Sequence, residues 1–290
     1  MNEKQQARLD RNTAYWKDRR GLAQQKLTDK NIKETEKQLM EYYKSSMKKT
    51  VGRFEEVYLK LLSNIDGKDF KPDEIYEVIK AAATPADLYK LDAYWQLQGE
   101  LRDELTKLGD KQAALFSKKF MAQYADIYEA CALKDDLFFG ELSKETAQQM
   151  INSIWCADGK SWAQRIGINN DKLREALNDN LIHCVLTGKT TTELKEILQQ
   201  DFLMDYNRAD KIIRTEMAHI QTEAAKQRYL DSGIEEVEVW ADLDERRCDV
   251  CGELHEKRFN VNATMPVPAH PNCRCVVIPV VQPNNQLMVV

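Results

Sequence analysis

Three observations predict a mainly α protein: a long helical N-terminal region, then a helical core closed by a small α+β zinc-bearing C-terminal module. The first is a poverty of turn residues. The 290 residues hold only 11 Gly and 7 Pro, and Pro72, Pro85, Pro266, Pro268, Pro271, Pro279 and Pro283 leave 86–265 free of proline. Nothing in that stretch forbids long helices. The second is a spacing of apolar residues by three and four that persists to Tyr229. The third is a change of period at Glu236, followed by four of the seven cysteines within 248–275. With 43% apolar residues and 33.6 kDa, the chain can bury one large or two medium cores. Collagen-like chains and Pro- or Gly-rich linkers are excluded, and an all-β sandwich is disfavoured.

Each element has its own signal. Residues 1–62 read as one or two long polar helices with a narrow stripe of Ile32, Leu39, Tyr43, Met47, Val51, Phe54, Val57, Tyr58 and Leu61. A break is expected at Asn64-Ile65-Asp66-Gly67, and helix starts at Lys71-Pro72-Asp73 and at Thr84-Pro85, with Thr84 as cap. Residues 86–134 read as helices interrupted near Gly99 and Gly109. Ser143 caps a segment carrying Ala147, Met150, Ile151, Ile154 and Trp155 at helical spacing. Asp158-Gly159 turns the chain. Leu173, Leu177, Leu181 and Val185 stripe a helix that Gly188 ends. Thr190 and Glu193 form a capping box for the next helix, with Leu194, Ile197 and Leu198 inward. A long helix then runs from Tyr206 to Tyr229 with Ala209, Ile212, Ile213, Met217, Ile220 and Ala224 on one side. Glu236 to Ala241 alternates as a strand, and Cys273 to Val281 reads as its returning partner. The domain expectation is a helical region over 1–140 and a second domain over 141–290, with the metal module at 242–281.

Charge narrows the function. The net charge is −5, which gives no general affinity for nucleic acid. Residues 1–60, however, carry 15 Lys+Arg against 9 Asp+Glu. A solvated helical face explains that excess; contact with double-stranded DNA through 1–60 is the sharper alternative. No segment approaches the ~20 apolar residues of a membrane span, so no membrane partner is expected. The first 20 residues lack the apolar core of a secretory signal, which points to synthesis in the cytosol.

The chemically specific pattern is Cys248-x2-Cys251-x18-His270-x2-Cys273-x-Cys275. Zinc takes four soft or borderline ligands in a tetrahedron, and two half-sites about 15–20 residues apart form a ribbon-type site. Cys248, Cys251, His270 and Cys273 are the expected ligands, with Cys275 as the alternative fourth and His255 as an outside candidate. Because these residues already fill four positions, the expected site is structural, with zinc as cofactor. Two other readings stand beside it: ordinary reduced cysteines, and a Cys273 or Cys275 nucleophile with His270 as base.

Taken together, Ile154-Trp155, Asp158-Gly159, Arg165-Ile166, Gly188, Arg214-Thr215-Glu216, Trp240, Cys248-x2-Cys251 and His270-Pro271-Asn272-Cys273-Arg274-Cys275 resemble the phage minor head proteins, the Mu F-like head-morphogenesis family. The resemblance covers about residues 141–281. It implies a structural component of tailed-phage heads, located in the virion, that associates with the portal protein, assists assembly with scaffold or major capsid protein, and in some relatives binds or delivers DNA. No Gly-rich phosphate loop, Ser-His-Asp order or HExxH motif is present, so no catalytic residue is expected. Arg214, Thr215 and Glu216 are expected to form a polar cluster, with a buried Arg–Glu network holding the C-terminal cap on its helix. His183 and His219 read as packed or surface residues, and Trp155 and Trp162 as core.

Two further functions compete with this reading. An ADP-ribosyltransferase-like enzyme would use Arg214 with Glu236-x-Glu238, but a solvated face of an alternating strand explains that Glu pair. A free zinc-bearing nucleic-acid-binding protein would need a basic module, whereas 242–275 has five Lys+Arg against six Asp+Glu.

Overall fold

The computed structural model describes residues 3–62, 85–132, 143–187, 189–241 and 247–280. Among these residues there are six helices and one sheet. In chain order they are α1 (Glu3–Leu62), α2 (Pro85–Ala130), α3 (Lys144–Ile151), α4 (Trp162–Leu186), α5 (Thr191–Asp231), β1 (Glu236–Trp240), α6 (Asp249–Leu254), β2 (Arg258–Asn260) and β3 (Val276–Pro279). The mainly α expectation with a small C-terminal α+β part is met. The expected break at Asn64–Gly67, the helix start at Lys71-Pro72-Asp73, the Thr84 cap, the Gly188 stop, residues 242–246, Val281 and the 140/141 boundary lie outside the described residues.

Helices are longer and fewer than the punctuation suggested. α1 is one helix, and α2 runs without interruption through Gly99 and Gly109. A glycine inside a helix costs only about 1 kcal/mol, which packing elsewhere outweighs. At Gly109 that packing is visible: a Cβ would stand 2.2 Å from Asn170 Nδ2, the amide that donates to the Leu105 carbonyl at 3.3 Å. The capping box also forms, with Glu193 accepting from the Thr190 N–H at 2.8 Å and Thr190 Oγ1 accepting from the Glu193 N–H at 3.2 Å. The helix it opens, however, continues as α5 to Asp231 instead of restarting at Tyr206. Conversely, α3 stops at Ile151, so Ile154 is exposed rather than part of its stripe.

The chain forms two compact units, each assembled from segments distant in sequence. The second comprises Lys37–Leu115 and Ala163–Asp210. Its core is Leu39, Phe54, Tyr58, Leu97, Leu101, Leu108, Leu173, Leu177, Leu194 and Phe202. Tyr43 donates to Asp205 at 2.6 Å and accepts from Gln112 at 2.9 Å, all three residues buried.

The first unit comprises Met1–Glu36, Phe116–Trp162 and Lys211–Val290. The sheet has the order β2-β1-β3, antiparallel throughout, with Val237 opposite Phe259 and Val239 opposite Val277. Both faces of β1 are covered: Val237, Glu238, Val239 and Trp240 are all buried. The solvated face expected for Glu238 is therefore absent. Glu238 accepts from Lys17 of α1 at 2.6 and 2.8 Å and from Arg258 of β2 at 3.4 Å. α1 reaches the sheet because Gly21 has no side chain; a Cβ there would meet Trp240 Cδ1 at 2.5 Å. Within this unit α1 buries Gln24, Gln25, Thr28, Asn31 and Thr35. Such a polar stripe is stable only if its groups find partners. Gln24 Nε2 donates to Tyr229 Oη and the Val277 carbonyl at 3.2 and 3.1 Å, and Gln25 Nε2 to the Arg274 carbonyl at 3.0 Å.

Candidate metal centre

The cysteine segment is built from two tight local structures. Cys248 is the N-cap of α6, in extended conformation, and its Sγ accepts from the Cys251 N–H at 3.4 Å. A cysteine at the N-cap and another three residues on thus face one point, which is the physical content of the C-x2-C spacing. The second half-site is a turn. Cys273 N–H donates to the His270 carbonyl at 3.2 Å, with Pro271 and Asn272 between them and Asn272 at φ 61°. Proline presets the first corner, and asparagine tolerates the left-handed second corner better than most residues, the pattern of a type II turn.

These structures bring the five sequence-derived donors into two triads that share Cys251: Cys248, Cys251 and His270, and Cys251, Cys273 and Cys275. Within each triad the ligand atoms lie within 4.8 Å of one another. His270 Nε2 is 3.3 Å from Cys248 Sγ and 3.2 Å from Cys251 Sγ, and Cys251 Sγ is 3.8 Å from Cys273 Sγ. Zinc–sulfur bonds of about 2.3 Å at tetrahedral angles put two sulfurs about 3.8 Å apart, and a sulfur and an imidazole nitrogen about 3.6 Å apart. The Cys251–Cys273 contact matches the sulfur–sulfur edge, the His270 contacts are 0.3–0.4 Å shorter than the sulfur–nitrogen edge, and each triad is a group that could hold a metal ion. His270 Nδ1 lies 2.9 Å from the Pro271 carbonyl, which fixes the proton on Nδ1 and leaves the Nε2 lone pair for a ligand bond.

The thiols are tuned unequally. The Cys251 N–H lowers Cys248, while burial pushes Cys251 up to about 12. A hydrogen bond from Cys275 brings Cys273 down to about 5, and the same bond, with burial, raises Cys275. His270 is raised, chiefly by its bond to the Pro271 carbonyl. His255 joins neither triad. Its Nδ1 accepts from the Ala241 N–H at 3.2 Å and its ring packs on Trp240, with centroids 4.6 Å apart.

Arg214, Thr215 and Glu216 point to three different segments. Arg214 pairs with Glu36 of α1. Thr215 Oγ1 accepts from the Asn272 N–H at 3.4 Å, inside the turn between His270 and Cys273. Glu216, only 3% exposed, accepts from Trp155 Nε1 at 2.8 Å. Trp155 also stacks on His219 with ring centroids 4.1 Å apart, and burial holds His219 down to about 4. Trp162 is core, against Phe120 at 5.6 Å between centroids.

One stretch of α5 thus fastens α1, the cysteine turn and the loop after α3. Residues 175–278, which hold that stretch and all five donors, match the family model described as Phage Mu protein F like protein. Over this segment the chain is Mu F-like. The match supports a Mu F-like phage head-morphogenesis family and hence a phage head-related protein. It begins later than the 141–281 suggested by residue resemblance, leaving out Ile154 to Ile166. No curated protein and no solved structure matches the chain. Among the described residues no helix is long and apolar enough to cross a membrane.

Residues that carry this Mu F-like segment escaped the sequence reading. Glu238 sits on an alternating strand and gives no sign that α1 covers it. Trp155 reads as core, with nothing to tie it to Glu216 or His219. The polar stripe of α1 looks solvent-facing by composition; its only signal is that Gln24, Thr28, Asn31 and Thr35 recur at helical spacing.

Proposed function

We propose that the chain is a structural minor head protein of a tailed phage, resident in the virion at the head–portal region, which associates with the portal protein and assists head assembly. The observation that carries this reading is the Mu F-like match over 175–278. Proteins of this family type are structural rather than catalytic, which supports a non-enzymatic role. Scaffold or major capsid protein is a further partner, and the basic excess of residues 1–60 suits contact with packaged double-stranded DNA.

The same proposal gives the Cys/His centre a structural zinc, held by Cys248, Cys251, His270 and Cys273, with Cys275 the alternative to Cys273. The thiolate–imidazole donor set and the edge-length Cys251–Cys273 contact support it. When bound, the ion would supply folding free energy to the module. The protein's part is to preorganise both half-sites, through the α6 cap and the Pro271–Asn272 turn.

Quantitative mass spectrometry of density-purified particles tests the placement. A small fixed number of copies per particle, far below major capsid protein, is expected. Absence from particles while the chain is abundant in the lysate would overturn it. Elemental analysis after chelator-free purification should give about one zinc per chain, consistent with one tetrahedral site.

A further inference from the structure

Beside the cysteine cluster, and wholly within the first unit, is a cleft of about 460 Å³. Its walls come from α1, α5 and the cysteine segment, and its charged groups are Lys33, Arg214, Arg247 and Arg274 against Asp29. Glu36 pairs with Arg214, and a zinc bound by three thiolates and an imidazole would add one net negative charge. Among these named groups cations remain in excess by one.

A second, independent observation points to the same chemistry. A directional chain of hydrogen bonds ends at this cleft. It starts at the Asp126 carboxylate, which can only accept when ionised, so Asn31 must present its amide N–H groups: Nδ2 donates to Asp126 at 2.9 Å and to Gln123 Oε1 at 2.8 Å. That fixes Gln123, whose Nε2 donates to Thr28 Oγ1 at 2.7 Å. Thr28 then has one proton to give, and gives it to Gln221 Oε1 at 2.5 Å. With Thr28 donating to Gln221 Oε1, the last group, Gln221 Nε2, is left with no acceptor although Gln221 is only 3% exposed. Gln221 lines the cleft. A buried donor without an acceptor is costly, and a site that keeps one beside arginines is suited to an incoming oxyanion.

We infer that this cleft is a docking site for an acidic peptide segment of a partner chain, one Asp or Glu carboxylate accepting from Gln221 and lying among Lys33, Arg247 and Arg274. The volume lies within the range of small-ligand and peptide sites. A duplex presents its phosphates on a convex surface and cannot seat them against a recessed amide. A nucleotide lacks what it would need: among the residues lining the cleft the only ring is the His270 imidazole, and there is no glycine-rich phosphate loop. An extended acidic peptide meets both requirements, a thin backbone and carboxylates for an arginine cluster. The inference stands on these residues and not on the family match.

The probe is fluorescein-labelled hexaglutamate, titrated by anisotropy with the full chain purified without chelator. At about 50 mM salt it binds and is displaced by unlabelled hexaglutamate; at about 500 mM binding is largely lost. Arg247→Glu and Lys33→Glu each weaken binding roughly tenfold, and Gln221→Leu by a similar factor. Arg247 and Lys33 are exposed, so their variants keep the native circular dichroism and decide the matter should Gln221→Leu misfold. Absence of binding at low salt overturns the inference, as does equal binding by both charge-reversal variants. Inorganic tripolyphosphate that binds in the cleft and resists displacement by hexaglutamate would make it a phosphate site and overturn the peptide assignment.

Discussion

Replacing Gly21 by alanine measures how closely α1 lies on the C-terminal sheet. A methyl at this position would stand 2.5 Å from Trp240 Cδ1, 3.1 Å from Nε1 and 3.2 Å from Cγ. Carbon contacts settle at about 3.5–4.0 Å, so the ring or the helix must yield by about 1 Å. The ring has little room, because Trp240 is 7% exposed, clusters with Val276 and Ile278, and has His255 edge-on. Overpacking of this kind costs about 1–3 kcal/mol, while alanine regains about 1 kcal/mol of helix propensity. Gly52 supplies the control: it lies in the same helix, is exposed, and a Cβ there meets nothing within 4 Å. Gly52→Ala should therefore stabilise by about 1 kcal/mol, and the difference between the two variants isolates the steric cost at about 1–3 kcal/mol. Because the chain has two compact units, the readout should be local. Hydrogen exchange of the β1 amides, with urea unfolding followed by circular dichroism, resolves each variant. A Gly21→Ala chain as stable as Gly52→Ala, with β1 protection unchanged, would refute the close approach of helix and sheet.

The remaining predictions concern the groups around α5 and the metal centre. His219, pushed down to about 4 by burial, favours the fold when neutral; that stabilisation is complete above about pH 6.5 and lost as pH falls through about 4. Its loss amounts to about 3 kcal/mol, and His219→Phe, which keeps the stack on Trp155, should flatten the fall in urea midpoint between pH 7 and 4. Trp155→Phe leaves the buried Glu216 carboxylate without its indole donor and should cost about 1.5–3 kcal/mol, whereas Arg214→Ala breaks a partly exposed pair and should cost no more than about 1 kcal/mol. Equal midpoint shifts for the two would sink that ranking. Cys251→Ser removes the donor common to both triads and should abolish metal retention in elemental analysis, while Cys275→Ser should retain it if Cys273 is the fourth ligand. Loss in Cys275→Ser with retention in Cys273→Ser would exchange their roles.

Local chemistry was legible in the sequence. The Ser143 cap, the Thr190–Glu193 box, the Asp158-Gly159 turn, β1 and the spacing of the cysteine half-sites all rest on interactions within a few residues, and each appears as those residues dictate. The apolar stripe Ala209, Ile212, Ile213, Met217, Ile220 and Ala224 is buried for the same reason, since helical period alone sets which side chains share a face. Tertiary structure decided what lies opposite those faces. It carried α2 through its glycines, joined two expected helices into α5, and covered Glu238 and the α1 glutamines with partners far away in sequence. It also turned Arg214, Thr215 and Glu216 toward three separate segments, and divided five donors into two triads around Cys251. None of these could be read from the chain, because a polar side chain looks the same in a sequence whether water or a buried partner satisfies it, and only the packed fold determines which.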